Sequence, residues 1–137
     1  MILVSACLAG LKCRYDGKSN ENSKVIELVK KGLAIPICPE QLGGLPTPRI
    51  PSEIINDKVF NKKGENVTNQ FKKGAKETLR IAELFGCHKA ILKQRSPSCG
   101  FGKIYDGSHT GRIVAGIGIT AKLLSQKGLV IITENDL

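Results

Sequence analysis

The chain has 137 residues, with 21 Lys or Arg against 12 Asp or Glu and a formal net charge of +9. This length suits one domain, residues 1–137, with enough core to fold without disulfide staples. No apolar run approaches the roughly 18 residues that span a bilayer, and the opening Met1 to Leu8 has no basic leader, so the expected location is the cytoplasm with no membrane partner.

Residues 2–6 are a short apolar run that reads as a buried strand. The polar stretch Lys12 to Asn22 follows as a loop, and Asn20 or Asn22 then caps a helix with the apolar face Val25, Leu28 and Val29, ended by Gly32. Residues 33–37 read as a second strand, in which Pro36 is the weak point because it cannot donate to a ladder. From Pro39 to Pro51 there are four prolines and two glycines, which predicts a rigid, irregular loop of the kind that often carries function. Residues 53–67 read as a small β excursion, with Ile54-Ile55 and Val59-Phe60 flanking the turn pair Asn56-Asp57. Thr68 is expected to cap a long helix whose buried stripe is Phe71, Ala75, Leu79, Ala82 and Phe85, with Gly86 as its stop. Residues 90–92 form a third strand, and a Gly-rich loop runs from Ser96 to Gly111. A last helix carries Val114, Ile117, Ala121 and Leu124, its Gly116 and Gly118 serving close packing and Gly128 closing it. Residues 129–132 form a last strand.

Apolar strands alternating with helices predict a mainly parallel sheet of about four strands, buried on both faces. The expected class is α/β, a Rossmann-like or flavodoxin-like three-layer sandwich. Such folds bind ligands beyond the carboxyl ends of their strands. Cys7 follows the first strand, Cys38 the second, and Cys99 lies in the loop after the third, so all three are expected at one edge of the sheet. Cys87 precedes the third strand and is expected at the opposite edge as a small buried hydrophobe. Cys13 stays open between a ligand and a loop thiol.

Five cysteines, an odd number, argue against a disulfide framework and raise metal or thiol chemistry instead. Three converging thiolates suit a soft metal or an iron–sulfur cluster, and the paired Cys-x-x-Cys knuckles of structural zinc are absent. His88 and His109 offer no zinc-like pairing with a neighbouring cysteine. Near the same edge, Glu40 is a candidate general acid or base, and Ser96 and Ser98 are candidate hydrogen-bond donors. Arg14, Arg49, Lys93, Arg95 and Arg112 are candidate cations for an anionic substrate. Gly116-Ile-Gly118 is no nucleotide fingerprint, since no G-x-G-x-x-G follows the first strand.

Taken together, Val4-Ser-Ala-Cys7-Leu, Arg14-Tyr-Asp-Gly17, Cys38-Pro-Glu40, Gly43-Gly-Leu-Pro-Thr-Pro-Arg49 and Lys93-Gln-Arg-Ser-Pro-Ser-Cys-Gly100 resemble the thiouracil desulfidase family. The resemblance runs from about residue 3 to Leu124. It implies a 4Fe–4S cluster held by Cys7, Cys38 and Cys99, with the fourth iron free of protein ligands. It further implies that the thiocarbonyl sulfur of a thiolated uracil binds that iron, water attacks the carbon, and the sulfur leaves as hydrogen sulfide without net electron transfer. Glu40 matches the family's catalytic glutamate and Ser96 its catalytic serine, while Arg14, Arg49 and Ser98 are expected to contact substrate. Cys13 departs from the apolar residue associated with that place in the motif, and Cys7 is the favoured ligand because the strand ends there. The charge of +9 suits a thiolated pyrimidine nucleotide as partner. A non-catalytic iron–sulfur or zinc module for sulfur storage or redox sensing is the alternative. RNA binding is a third reading, against which the four Phe, two Tyr and absent Trp count.

Overall fold

The computed structural model describes all of residues 1–137. Four parallel strands form the central sheet: β1 (Ile2–Ser5), β2 (Ala34–Ile37), β5 (Lys89–Leu92) and β8 (Val130–Thr133), in the order β2-β1-β5-β8. Between them run α1 (Ser23–Lys30), the short α2 (Pro39–Leu42), the hairpin β3 (Ser52–Ile55) and β4 (Lys58–Asn61), and α3 (Thr68–Leu84). A second hairpin, β6 (Phe101–Tyr105) and β7 (Ile113–Ile117), leads into α4 (Ile119–Gln126). No helix is long and apolar enough to cross a membrane.

Alternation along each strand divides the core into two layers. Leu3, Ala90, Leu92 and Ile131 pack with Ala82 of α3 and with Ala121 and Leu124 of α4. Val4 and Ile91, one residue out of phase, pack with Val25 of α1, with Leu28 and Val29 against them. The sheet is therefore covered on both faces, which is why its strands read as unbroken apolar runs. Pro36 is tolerated because β2 is an edge strand, leaving its missing N–H without a ladder partner to lose.

Asn22, of the two candidates, caps α1: its Oδ1 accepts from the backbone of Lys24 and Val25 at 3.1 and 3.3 Å. Other boundaries differ from the sequence expectation. Thr68 is the first helical residue of α3, and Val67 holds the cap position. The Thr68 hydroxyl accepts from Val59 N at 2.9 Å and donates to Asn66 Oδ1, which ties the helix start to the β3–β4 hairpin. Phe85 lies beyond the helix and is 54% exposed; Gly74 and Thr78 complete the buried stripe instead. The Pro-rich stretch opens as a helical turn, because Pro39 takes the first helical position after Cys38.

The largest departure concerns residues 101–117. Phe101 to Tyr105 is a strand inside the supposed loop, and Val114 and Ile117 belong to β7, not to a helix. Gly118 alone separates β7 from α4, so the apolar spacing runs from strand into helix with no break in sequence. The close-packing role of the two glycines holds. A side chain at Gly116 would strike Ile104, and one at Gly118 would strike the Ser98 backbone.

A second close approach sets the position of α2. Gly43 faces the carbonyl of Gln70, and Gly74 faces the carbonyl of Pro39, so α2 and α3 meet backbone to backbone. Gly74→Ala should destabilise the protein by about 1–3 kcal/mol through overpacking, against an intrinsic helical gain of about 1 kcal/mol. A urea unfolding midpoint that rises in this variant would show that the helices are free to separate.

Candidate functional site

The carboxyl ends of β1, β2 and β5 open into a cavity of about 520 Å³, a volume suited to a small organic ligand. Cys7 lies in the 3₁₀ turn Ala6–Ala9 that continues β1, and Cys38 caps α2 directly after β2. Cys99 hangs in the loop after β5. All three line the cavity, and so does Cys13. Cys87 is buried at the other end of the sheet among Leu3, Ala82 and Ala90, as a small hydrophobe should be. His88 lies beside it, outside the cavity.

Cys13 is the hub of the thiols. The neighbouring Cys38 and Cys7 thiols, with burial, raise it well above the usual thiol range. Cys13 in turn lowers Cys38 to about 6, against burial and with help from the Gln41 backbone N–H. Cys7 is lowered by Cys13 and by Asn20, with Lys93 contributing positive charge. Burial pushes Cys99 up to about 12, partly opposed by the hydroxyls of Ser5 and Ser98. Cys13 thus acts on Cys7 and Cys38 but not on Cys99, whose neighbours are Ser5 and Ser98.

Next to them, Glu40 is held at both oxygens. Arg49 Nε donates to Oε1 at 2.9 Å, and the Ser98 hydroxyl donates to Oε2 at 2.9 Å. Ser96 Oγ lies 2.9 Å from Ser98 Oγ and accepts from the backbone N–H groups of Ser98 and Cys99, each at 3.1 Å. Ser98 Oγ is also 3.7 Å from Cys99 Sγ. A hydroxyl has one proton, so with Glu40 ionised the chain runs from Ser96 through Ser98 to the carboxylate. The loop holding these serines is fixed from below by α4. The N–H groups of Gly118, Ile119 and Thr120 donate to the carbonyls of Gly100, Pro97 and Ser98, at 2.7–2.9 Å.

The family model of the 2-thiouracil desulfurase matches residues 2–136. The chain belongs to the 2-thiouracil desulfurase family. Among relatives, YbbK of Bacillus subtilis (strain 168), described as uncharacterized, is 44% identical over 147 residues, covering 100% of this chain and 97% of YbbK. Among solved structures, the [4Fe-4S]-dependent thiouracil desulfidase TudS matches with a TM-score of 0.95 at 42% identity, over 99% of this chain and 91% of that one. The agreement extends to the sandwich architecture expected from the strand pattern.

Within this member of the desulfurase family, Cys7, Cys38, Cys99, Glu40, Ser96, Ser98, Arg14 and Arg49 all reach the cavity wall. Arg112 does not: its side chain is 78% exposed and faces Asp106 at 3.9 Å. Arg49 is tied into the protein at several points. Its side chain is 6% exposed, and besides Glu40 it donates to the carbonyls of Cys13 and Pro46 and to Thr47 Oγ1, at 2.9, 3.3 and 3.0 Å. Four of its five N–H groups are therefore engaged by protein, and it clamps the Cys13 loop to the Glu40 carboxylate. Arg14, held by Asp16 at 3.2 Å and Asn20 at 2.8 Å, keeps a part-exposed guanidinium on the wall.

Two participants had no signal in the sequence. Asn20 touches Cys7 and Arg14 together, although as a sequence it reads as a cap. Glu53, 11% exposed, accepts from the N–H groups of Gly107 and His109 at 3.0 and 3.1 Å and lies 3.5 Å from His109 Nδ1. It pins the tip of the β6–β7 hairpin against β3, where His109 and Tyr105 form the far wall.

Proposed function

We propose that this protein is a [4Fe–4S]-dependent desulfidase that removes sulfur from thiolated uracil compounds, such as a thiouracil or thiouridine nucleotide. Cys7, Cys38 and Cys99 hold the cluster. The donor set supports that cofactor: four thiols line the cavity, and soft sulfur ligands suit iron–sulfur clusters. No three Cys, His, Asp or Glu side chains are arranged around one ion position. Separate thiols would suit a cluster instead, with Cys7, Cys38 and Cys99 as the residues that would hold it. When bound, the iron without a protein thiolate supplies a Lewis acid and a soft seat for sulfur.

The chain's own residues supply the proton chemistry. The net change is replacement of a carbon–sulfur double bond by carbon–oxygen: water gives its oxygen to the ring carbon, and sulfur leaves with two protons as hydrogen sulfide. Atoms balance without an external oxidant or reductant. Glu40 Oε2 takes a proton from the attacking water and returns it to the departing sulfur or a ring nitrogen. Ser98 carries protons between Glu40 and Ser96, and the two backbone N–H groups on Ser96 Oγ stabilise negative charge there while its proton is away. Arg49 fixes the Glu40 rotamer. Arg14 takes the polar part of the substrate beyond the ring, and a cytoplasmic setting keeps the thiols reduced.

The observation that carries this reading is the carboxylate–hydroxyl chain ending 3.7 Å from the sulfur of Cys99. Anaerobic reconstitution should give about four iron and four acid-labile sulfide per chain, followed by sulfide release from thiouracil, thiouridine or a thionucleotide. Zinc, or no metal, would overturn the assignment; a stable cluster with no turnover on any of them would instead establish a non-catalytic module. Ser98→Ala should lower sulfide release by about 10²-fold at unchanged iron content. Full activity in that variant would show that Ser96 and Glu40 work without a relay.

A further inference from the structure

Cys13 is a buried thiol that the mechanism does not use, and its surroundings suit a distinct chemistry. It is 4% exposed, it lines the same cavity as Cys7 and Cys38, and Cys38 Sγ lies 3.9 Å from its carbonyl oxygen. Cys38 and Cys7 are partly exposed, whereas Cys13 is buried. The Cys13 backbone is also held from two sides: its N–H donates to Leu11 O at 2.9 Å, and its carbonyl accepts from Arg49 at 2.9 Å. A solvent-accessible sulfur beside a shielded one, with the shielded partner anchored, is the arrangement of an attacking and a resolving thiol.

We propose that Cys13 is the resolving cysteine of a reversible oxidation site, forming a disulfide with Cys38 when the protein lacks its cluster and meets a peroxide. The inference rests on the assignment of Cys38 as a cluster ligand. In the first step the Cys38 sulfur attacks hydrogen peroxide; a sulfur–oxygen bond forms, the oxygen–oxygen bond breaks, and hydroxide leaves. Cys38 becomes a sulfenic acid, oxidised by two electrons, and the peroxide is reduced. In the second step the Cys13 sulfur attacks the Cys38 sulfur. The sulfur–sulfur bond forms, the sulfur–oxygen bond breaks, and the hydroxyl leaves with the Cys13 proton as water. The disulfide spares Cys38 from irreversible sulfinic acid formation. It also withholds one ligand from iron until a dithiol reductant returns both thiols.

The test uses the full-length, fully reduced, cluster-free protein treated with a small excess of hydrogen peroxide. Expected are an intact mass about 2 Da lower, loss of two of the five free thiols, and a Cys13–Cys38 cross-linked peptide on a non-reducing map. Iron uptake should be blocked and then restored by dithiothreitol. In Cys13→Ala the same treatment should add oxygen to Cys38, raising the mass by about 16 or 32 Da, and dithiothreitol should not restore iron uptake to the doubly oxidised fraction. A Cys7–Cys38 cross-link in the wild-type protein, or a Cys13→Ala variant that recovers iron uptake as fully as wild type, would overturn the proposal. The peptide map reads the disulfide whether or not iron binds. Failure of reduced protein to take up iron therefore counts against the cluster assignment, and a missing cross-link counts against this inference.

Discussion

Glu40→Gln is expected to reduce sulfide release by about 10²–10⁴-fold while iron and labile sulfide stay at the wild-type level. Glutamine keeps the size of the side chain and can still accept from Arg49 Nε at the oxygen now 2.9 Å away. It cannot take up a proton. Its amide also presents a donor to Ser98 Oγ where the carboxylate presents an acceptor, so the order of hydrogen bonds through Ser98 and Ser96 must reverse. The loss should therefore fall on turnover. Because Glu40 and Arg49 are 13% and 6% exposed, removing the negative charge also leaves the guanidinium less well compensated, at a stability cost of about 1–3 kcal/mol. Measuring iron content and thermal unfolding beside the rate separates these effects. A variant that keeps half the wild-type rate or more would remove Glu40 from the proton chemistry.

Cys99→Ala and Cys87→Ala should behave oppositely although the two residues are equally buried. Both are 4% exposed and both belong to the cluster built on Leu3, Ala90 and Leu124. Loss of either sulfur should cost on the order of 1 kcal/mol in packing. Only Cys99 stands at the carboxyl end of the sheet, on the cavity wall with Cys7 and Cys38 and with Ser98 Oγ 3.7 Å from its sulfur. Reconstituted Cys99→Ala should lack the visible absorption of a cluster and release no sulfide, as should Cys7→Ala and Cys38→Ala. Cys87→Ala should load normally. Normal loading of Cys99→Ala would transfer the third ligand to Cys13, which lines the same cavity.

Local patterns told most of the architecture. The runs at 2–6, 33–37, 90–92 and 129–132 are nearly the observed strands, because a strand buried on both faces must be apolar at every position. From those strands alone, Cys7, Cys38 and Cys99 fall at one edge of a parallel sheet and Cys87 at the other. The pattern misled at Val114 and Ile117, whose spacing to Ala121 and Leu124 continues in helical phase. The phase is accidental, since a strand runs into a helix with Gly118 alone between them. Pairing with β6 decides the conformation there, and β6 itself, with exposed Gly102 and Lys103, carries little strand signal.

The sequence by itself determined the layers, the sheet edge that carries the thiols, and the residue types gathered there. Only the tertiary structure decided their structural roles: that Arg49 clamps Glu40, that Ser98 and not Ser96 touches the carboxylate, and that Cys13 joins the other three thiols on the cavity wall. Periodicity and strand ends are properties of neighbouring residues and survive in a linear reading. The bonds that assign these roles join residues 9, 36 and 58 positions apart, and their partners are chosen by the packing of whole elements.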